Sequence, residues 1–190
     1  KKYINVLYFH RGKKLGRGSA VIFGLKKLLK IKKINCFIEM DADMSHKPSE
    51  LKRNISYFYN NSLDMLIGSR YLENSKIINW PLSRKILSKL SNMLARYFLG
   101  VPVNDYTNGY RFYSKRATKT IVMKCNNIGG GFIVLSEIIL VLFNKKFKIS
   151  EIETVFKNRI RGSFLYSIKV CRKISFNLIH IFKINFRRLS

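Results

Sequence analysis

The strand-like run Asn35–Met40 (NCFIEM) passes without a break into Asp41-Ala42-Asp43, and this junction constrains the chain more than any other stretch. A largely apolar run rich in strand formers has to be buried, whereas paired carboxylates have to meet water or a cation. Both demands are met where a strand leaves the carboxyl edge of an open α/β sheet, which is also where such sheets bind ligands. Two aspartates one residue apart at that point can both reach a hard cation such as Mg²⁺ or Mn²⁺, an ion that keeps waters and bridges substrate phosphates. A solvated acidic loop is the bland alternative. Against it, the chain holds only 10 Asp and Glu in 190 residues, and two of them stand here.

The surrounding pattern agrees with an α/β fold. Ile4–Phe9 predicts a buried strand, and the glycine-punctuated turn Gly12–Gly18 leads to a helix over Ser19–Ile31 with a lysine-rich exposed face. Pro48 opens the next helix, with Ser49 and Glu50 in its first turn. Asp64–Ser69 predicts a third strand. A long helix runs from Pro81 to Leu99 and is stopped by Gly100 and Pro102. Gly109–Tyr113 predicts a strand, Phe132–Phe143 a mostly buried helix, and Lys148–Phe156 a late strand with Ile149, Ile152 and Val155 alternating. Strand and helix alternate through the first hundred residues, which predicts a mainly parallel sheet flanked by helices.

Charge narrows the partners less than it first suggests. Lys and Arg number 37, for a formal net charge of +27, a field that favours nucleic acid, anionic lipid or phosphorylated substrates. A source-wide bias towards Lys, Ile and Asn would supply many of these lysines. No nucleic-acid motif accompanies them, so no nucleic-acid partner is expected. Cys36, Cys125 and Cys171 are odd in number and widely spaced, which argues against a disulfide framework or a zinc site and fits a reducing compartment. Lys1–Tyr8 carries no signal-peptide pattern, and no window reaches the roughly 20 apolar residues of a membrane span. Gly16-x-Gly18 lacks the third glycine of a dinucleotide fingerprint. Gly129–Gly131 reads as a loop, and His10 and His180 carry no signal.

Taken together, several blocks resemble the dolichyl-phosphate mannose synthase group of the family 2 glycosyltransferases. Lys14-Leu15-Gly16-Arg17-Gly18-Ser19-Ala20 resembles that family's KLGLGTA stretch, with Arg17 where the family often has an apolar residue. Asp41-Ala42-Asp43-Met44-Ser45-His46-Lys47-Pro48 is similar to DADLSH.P, and Gly68-Ser69-Arg70-Tyr71 to G[ST]RY. Trp80, Arg84 and Ser88 look like the helix that follows, and Asp105-Tyr106-Thr107-Asn108-Gly109-Tyr110-Arg111 resembles D.TSGFR. Phe132 with Glu137, and Asn158-Arg159-Ile160-Arg161-Gly162-Ser163, look like the later motifs. The last departs from the family, whose serine sits two after the glycine with a lysine next; here Ser163 is adjacent and Phe164 follows. The family's opening strand, P.YNE turn and helix have no counterpart, so the resemblance implies a partial GT-A fold lacking its first strand-helix unit.

The resemblance implies inverting, metal-dependent transfer of a sugar, mannose from GDP-mannose in the first instance, to a polyprenyl or dolichyl phosphate. It implies Mg²⁺ or Mn²⁺ on Asp41 and Asp43. It gives catalytic roles to Asp43, Arg70 and Arg111, and substrate or phosphate contacts to Lys14, Gly16, Asp41, Ser45, Arg84, Ser88, Asp105, Thr107, Glu137 and Arg159. His46 is as readily a structural hydrogen-bonding residue as a substrate contact. A phosphate-monoester acceptor is already anionic at neutral pH and needs positive charge more than a base. Another nucleotide-sugar, or a saccharide acceptor with Glu137 as base, is the alternative within the fold. An inactive remnant and a basic nucleic-acid binder are the alternatives outside it. Without its opening unit the 190-residue chain is expected to transfer no sugar alone.

The organisation read from this is a catalytic portion over 1–162 and a basic amphipathic helix over 163–190. At about 100° per residue, Lys169, Arg172, Lys173, His180, Lys183 and Arg187 gather on one face. Phe164, Cys171, Ile174, Leu178, Ile181, Phe182 and Phe186 gather opposite. Such a helix suits the interface of a membrane carrying anionic lipid, here its cytoplasmic face, and packing on the domain is the alternative.

Overall fold

The computed structural model describes residues 6–13, 15–125 and 133–158. Lys14, Gly129–Gly131, Phe132, Arg159, Ser163, Cys171, His180 and the expected helix over 163–190 lie outside the described residues. Among the described residues, five α-helices and six strands follow in the order α1 (Gly16–Leu28), β1 (Cys36–Glu39), α2 (Leu51–Asn60), β2 (Met65–Ser69), β3 (Lys76–Ile78), α3 (Leu82–Leu99), β4 (Arg111–Ser114), α4 (Lys115–Lys124), α5 (Ile133–Asn144), β5 (Ile149–Glu153) and β6 (Val155–Lys157). A 3₁₀ turn over Pro48–Glu50 leads into α2.

The main sheet runs β1-β4-β2-β5. β2, at its centre, is buried along its whole length because both faces are covered there. On β2, Met65 and Ile67 join Phe37 and Tyr113 under α1, α4, α5 and the end of α3, while Leu66 joins Phe58, Tyr110 and Phe112 under α2. This confirms an α/β fold whose sheet is flanked by helices, with one strand of the main sheet reversed. β4 pairs antiparallel with both β1 and β2, and only β2 and β5 pair in parallel. β1, β2 and β5 therefore point one way and β4 the other. The consequence is functional: the carboxyl ends of three strands share one edge with the amino end of β4, where Glu39 and Ile67 both lie opposite Arg111 and Ser69 lies opposite Glu153.

Two expectations change. Val6–Phe9 forms no strand and its side chains are exposed, with Phe9 resting edge-on against Phe23 of α1 at 6.3 Å. The late strand is two strands, because Glu50 takes Thr154 Oγ1–H at 2.6 Å and Val155 N–H at 3.0 Å. That draws the chain off the main sheet, and β6 pairs with β3 instead. α3 begins after Pro81 and stops at Gly100, whose φ of 65° is the left-handed cap that favours glycine.

Candidate active site at the mixed edge of the sheet

Four segments meet at this edge. The first leaves β1, where Asp41 is half-buried and Asp43 exposed. Met44 turns the chain through φ 62°, a left-handed conformation that costs a non-glycine residue about 1 kcal/mol. The turn lets Asp43 Oδ1 accept the Ser45 N–H at 3.1 Å and buries Ser45 and His46. Lys157 N–H donates to the Ser45 carbonyl at 2.9 Å, tying this loop to β6. His46 lies between the rings of Tyr110 and Phe156, each 5.1 Å away. Ser45 Oγ and both His46 ring nitrogens are buried with no hydrogen-bond partner among the described residues.

Arg17, in the first turn of α1, reaches across to this loop. Its Nη2 is 3.0 Å from Glu39 Oε1 and 3.0 Å from Asp41 Oδ1. His46 Nε2 stands 3.8 Å from Asp41 Oδ2, within ion-pair range but beyond a hydrogen bond. The imidazole is the largest influence on Asp41 and, with Arg17, holds its carboxyl below the usual carboxylate range despite burial. Glu39 goes the other way: burial pushes its carboxyl up more than Arg17, Arg111 and the Tyr113 hydroxyl pull it down.

The second and third segments lock together. Arg70, just past β2, donates from Nε to Asp105 Oδ2 and from Nη2 to Asp105 Oδ1, both at 2.8 Å, and from Nη2 to Thr107 Oγ1 at 2.6 Å. The backbone N–H groups of Arg70, Thr107 and Asn108 also donate to Asp105. Tyr71, Trp80 and Phe156 place their rings 5.3–5.5 Å from the guanidinium. Burial would push the Asp105 carboxyl up, but Arg70's charge and hydrogen bonds outweigh it and keep it below the usual range. Arg70 and Asp105, each expected at substrate, are thus each other's first partners. Asp105 in particular has its carboxylate oxygens occupied by these donors and holds the loop.

Arg111 is likewise turned inward. It is 0% exposed and donates to the carbonyls of Asn108 (2.8 Å), Leu135 (2.7 Å) and Tyr106 (2.8 Å). A guanidinium spent on three main-chain acceptors shapes the Asp105–Tyr110 loop rather than meeting a phosphate. Glu137, the candidate base, is 4% exposed on α5, where it adds to the burial that pushes the Cys125 thiol up to about 12. Gly16 serves α1 itself, with φ 84° at its first residue.

The fourth segment is α3. Ser88 accepts the Tyr71 hydroxyl at 2.6 Å. Arg84 lies 3.8 Å above the Trp80 ring and donates to Asn158 Oδ1 at 3.1 Å, so the start of the last expected motif sits beside α3. Of the residues singled out in the sequence, the fold brings Asp41, Asp43, Ser45, Arg70, Arg84, Ser88 and Thr107 to this edge. Sequence reasoning gives no role to Arg17 or Glu39. The signal for both was present: a basic residue where the resembling family is apolar, and a carboxylate two residues ahead of Asp41.

The donor set fits a hard divalent cation. Asp41 and Asp43 offer carboxylate oxygens at a partly wet loop, and the unpartnered Ser45 Oγ stands beside them. Among the described residues no three His, Cys, Asp or Glu side chains form a closed cage.

The glycosyl transferase family 2 model matches residues 1–122. Over 153 residues the chain is 33% identical to the polyprenol monophosphomannose synthase of Mycolicibacterium smegmatis, covering 80% of this chain and 57% of that protein. Over 117 residues it is 37% identical to the undecaprenyl-phosphate mannosyltransferase of Micrococcus luteus, covering 62% of this chain and 47% of that one. It spans about half the length of these curated relatives. Among solved structures it is similar to glucosyl-3-phosphoglycerate synthase from Mycobacterium tuberculosis in complex with UDP. That match has a TM-score of 0.52 and 14% identity over 87% of this chain and 55% of the other, a likeness of fold.

Proposed function

The chain belongs to glycosyl transferase family 2, and from that premise we propose that it is part of an enzyme moving a sugar from a nucleotide-sugar to a polyprenyl phosphate. The donor we favour is GDP-mannose, the outcome inversion, and the metal Mg²⁺ or Mn²⁺ on Asp41 and Asp43. The observation that carries the reading is the meeting of Asp41 and Asp43 with the Arg70–Asp105 loop and Arg84 at one sheet edge. The names of the two curated relatives support the acceptor class.

A cation bound at Asp41 and Asp43 would supply Lewis-acid charge to the diphosphate leaving group. The chain's own residues would do the rest. Arg84, poised over Trp80, offers a two-pronged donor suited to phosphate oxygens. Ser88 and Tyr71 fix the neighbouring polar wall through their mutual hydrogen bond. The acceptor phosphate, with its second pKa near about 6, attacks as the anion already present at neutral pH, so no side chain has to remove a proton. The burial of Glu137 on α5 favours this over a saccharide acceptor that would need it as a base.

A membrane surface is part of the proposal, on its cytoplasmic side. No helix among the described residues is long and apolar enough to cross a membrane. α3, however, presents Leu82, Ile86, Leu90, Met93 and Tyr97 to the outside, each 44–81% exposed, at helical spacing. Lys85, Lys89 and Arg96 run along one margin of that stripe. An apolar stripe with a basic margin suits a bilayer containing anionic lipid.

Transfer of labelled sugar by the full-length protein tests the reading, with GDP-mannose, GDP-glucose and UDP-glucose offered in turn against undecaprenyl phosphate. Label should enter the lipid only with Mn²⁺ or Mg²⁺, and Asp43→Asn should reduce it by about tenfold or more as one carboxylate is lost. Transfer that is indifferent to chelation would remove the metal from the proposal. Transfer to a free saccharide instead would remove the acceptor.

A further inference from the structure

We propose that His46 is the positioning residue of Asp41, its Nε2–H fixing one carboxylate oxygen so that Asp41 and Asp43 are oriented for a divalent cation. The inference rests on reading those two aspartates as the metal-holding pair. His46 Nε2 stands 3.8 Å from Asp41 Oδ2, and the Asp41 side chain is 41% exposed. An N–H···O bond is about 2.9 Å long, so roughly 1 Å of movement by a side chain facing water closes the gap.

The imidazole, by contrast, is clamped. It packs against the rings of Tyr110 and Phe156, each 5.1 Å away, and the His46 backbone bridges to Phe156. Tyr110 is fixed in turn. Asn54 Nδ2 donates to its hydroxyl at 3.2 Å, and Gly68 makes room for its ring, since a Cβ there would come within 2.6 Å of Tyr110 Cδ1. Two aromatic rings suit an apolar side chain between them. The side chain held there carries two nitrogens instead, wholly buried and with no hydrogen-bond partner among the described residues. Burial of unpaired polar groups lowers stability, so a ring of carbon alone would serve the fold better. The nitrogens are therefore kept for the site. Closed to water, they are closed to substrate as well, and the carboxylate in reach is Asp41. Arg17 already donates to the other oxygen, Oδ1, at 3.0 Å. A bond from His46 to Oδ2 gives the carboxylate one donor on each oxygen and a single orientation, with lone pairs left for the cation.

His46→Phe keeps a ring in the clamp and removes both nitrogens, whereas His46→Gln keeps a side-chain N–H at comparable reach. Mn²⁺ binding to the full-length protein, with GDP and without, is read from the electron paramagnetic resonance of the free ion, and melting is followed for each variant. His46→Phe should melt at or above the parent's temperature yet bind Mn²⁺ about tenfold or more weakly. His46→Gln should recover most of that affinity. A residue that merely packs would give the opposite pattern, with stability falling and Mn²⁺ affinity unmoved. Unaltered affinity in His46→Phe, a lower melting temperature for it, or an equal loss of affinity in His46→Gln would each overturn the proposal. The metal site itself would survive those outcomes, provided the parent binds Mn²⁺ and Asp43→Asn does not. Absence of Mn²⁺ binding in the parent, with GDP or without, would overturn both.

Discussion

Two arginine–aspartate pairs stand at the same sheet edge and behave as opposites. Arg70 and Asp105 meet through a fork at 2.8 Å, wholly inside the protein, with backbone N–H groups completing the carboxylate. Arg17 and Asp41 meet through one nitrogen at 3.0 Å, with the aspartate 41% exposed. Removing one partner of a buried pair strands a charge in a medium that cannot solvate it, whereas water takes over for an exposed one. The same chemical pair therefore builds the site in one place and leaves it open to exchange in the other. A motif arginine or aspartate is not a ligand contact merely by being in a motif. Its saturation decides.

The sharpest way to break this contrast is Asp105→Asn. It should cost about 3–5 kcal/mol, read from urea unfolding at neutral pH, because Arg70 stays buried without its counter-charge. Asp41→Asn should stay within about 1 kcal/mol of the parent. The acid limb tests the same point. The Asp105 carboxyl titrates below its ordinary value of about 3.9, so its contribution is present above roughly pH 4 and is lost as pH falls through the folded-state value. Asp105→Asn should flatten the loss of stability below about pH 4. Part of the slope should persist, because Asp64, lowered by Arg116, the Lys148 backbone and Ser114 against its burial, has the same sign. Equal costs for the two substitutions would end the comparison.

A second substitution pair sharpens it on the substrate side. Arg70→Ala should lose stability along with activity, since Asp105 is then left buried and unpaired. Arg84→Ala should fold within about 1 kcal/mol of the parent, because its guanidinium is partly exposed over Trp80 and its bond to Asn158 is only partly buried. Its expected cost is about a tenfold rise in KM for the polyprenyl phosphate with a smaller change in kcat. A fall in kcat alone would place Arg84 at the reacting atoms instead.

Much of this edge was legible in the sequence, and the parts that were not share a cause. The Asp41–Asp43 loop could be read because a strand pattern ended on two carboxylates. α3 could be read because Pro81 and Gly100 bracket it. β4 was found as a strand, but its reversed direction was not, since alternation of apolar residues carries no sign. α4 was missed altogether. Ser114 both ends β4 and caps α4 by accepting the Ala117 N–H at 3.1 Å, so no turn residue separates them. The inward turn of Arg111 onto three carbonyls depends on the fold of a loop and of α5 at once, which no local pattern encodes. Arg17 reaching Asp41 is likewise a contact across 24 positions.

The smallest effect on stability, and the last test, compares the two faces of α3. Its inner face buries Asn92, Ala95 and Leu99, while its outer face leaves Ile86, Met93 and Tyr97 58%, 59% and 81% exposed. Replacing those three by Ser should change stability by less than about 0.5 kcal/mol each, since little packing is lost. The effect should appear on vesicles. The parent, with its net charge of +27, should sediment with vesicles containing anionic lipid and be partly released as salt rises, because exposed charges are screened within about 10 Å at 0.1 M. A fraction should remain at high salt, held by apolar burial worth about 0.8 kcal/mol per CH₂. The outer-face variant should lose that fraction and keep the salt-sensitive one, whereas Lys85, Lys89 and Arg96 changed together to Gln should do the reverse. Changing Ile174, Leu178 and Phe182 to Ser separates any contribution from the stretch 163–190. Unaltered capture of the outer-face variant at high salt would show that α3 does not meet the bilayer. A parent that never sediments would remove the membrane from the proposal altogether, leaving the contrast between the two ion pairs untouched.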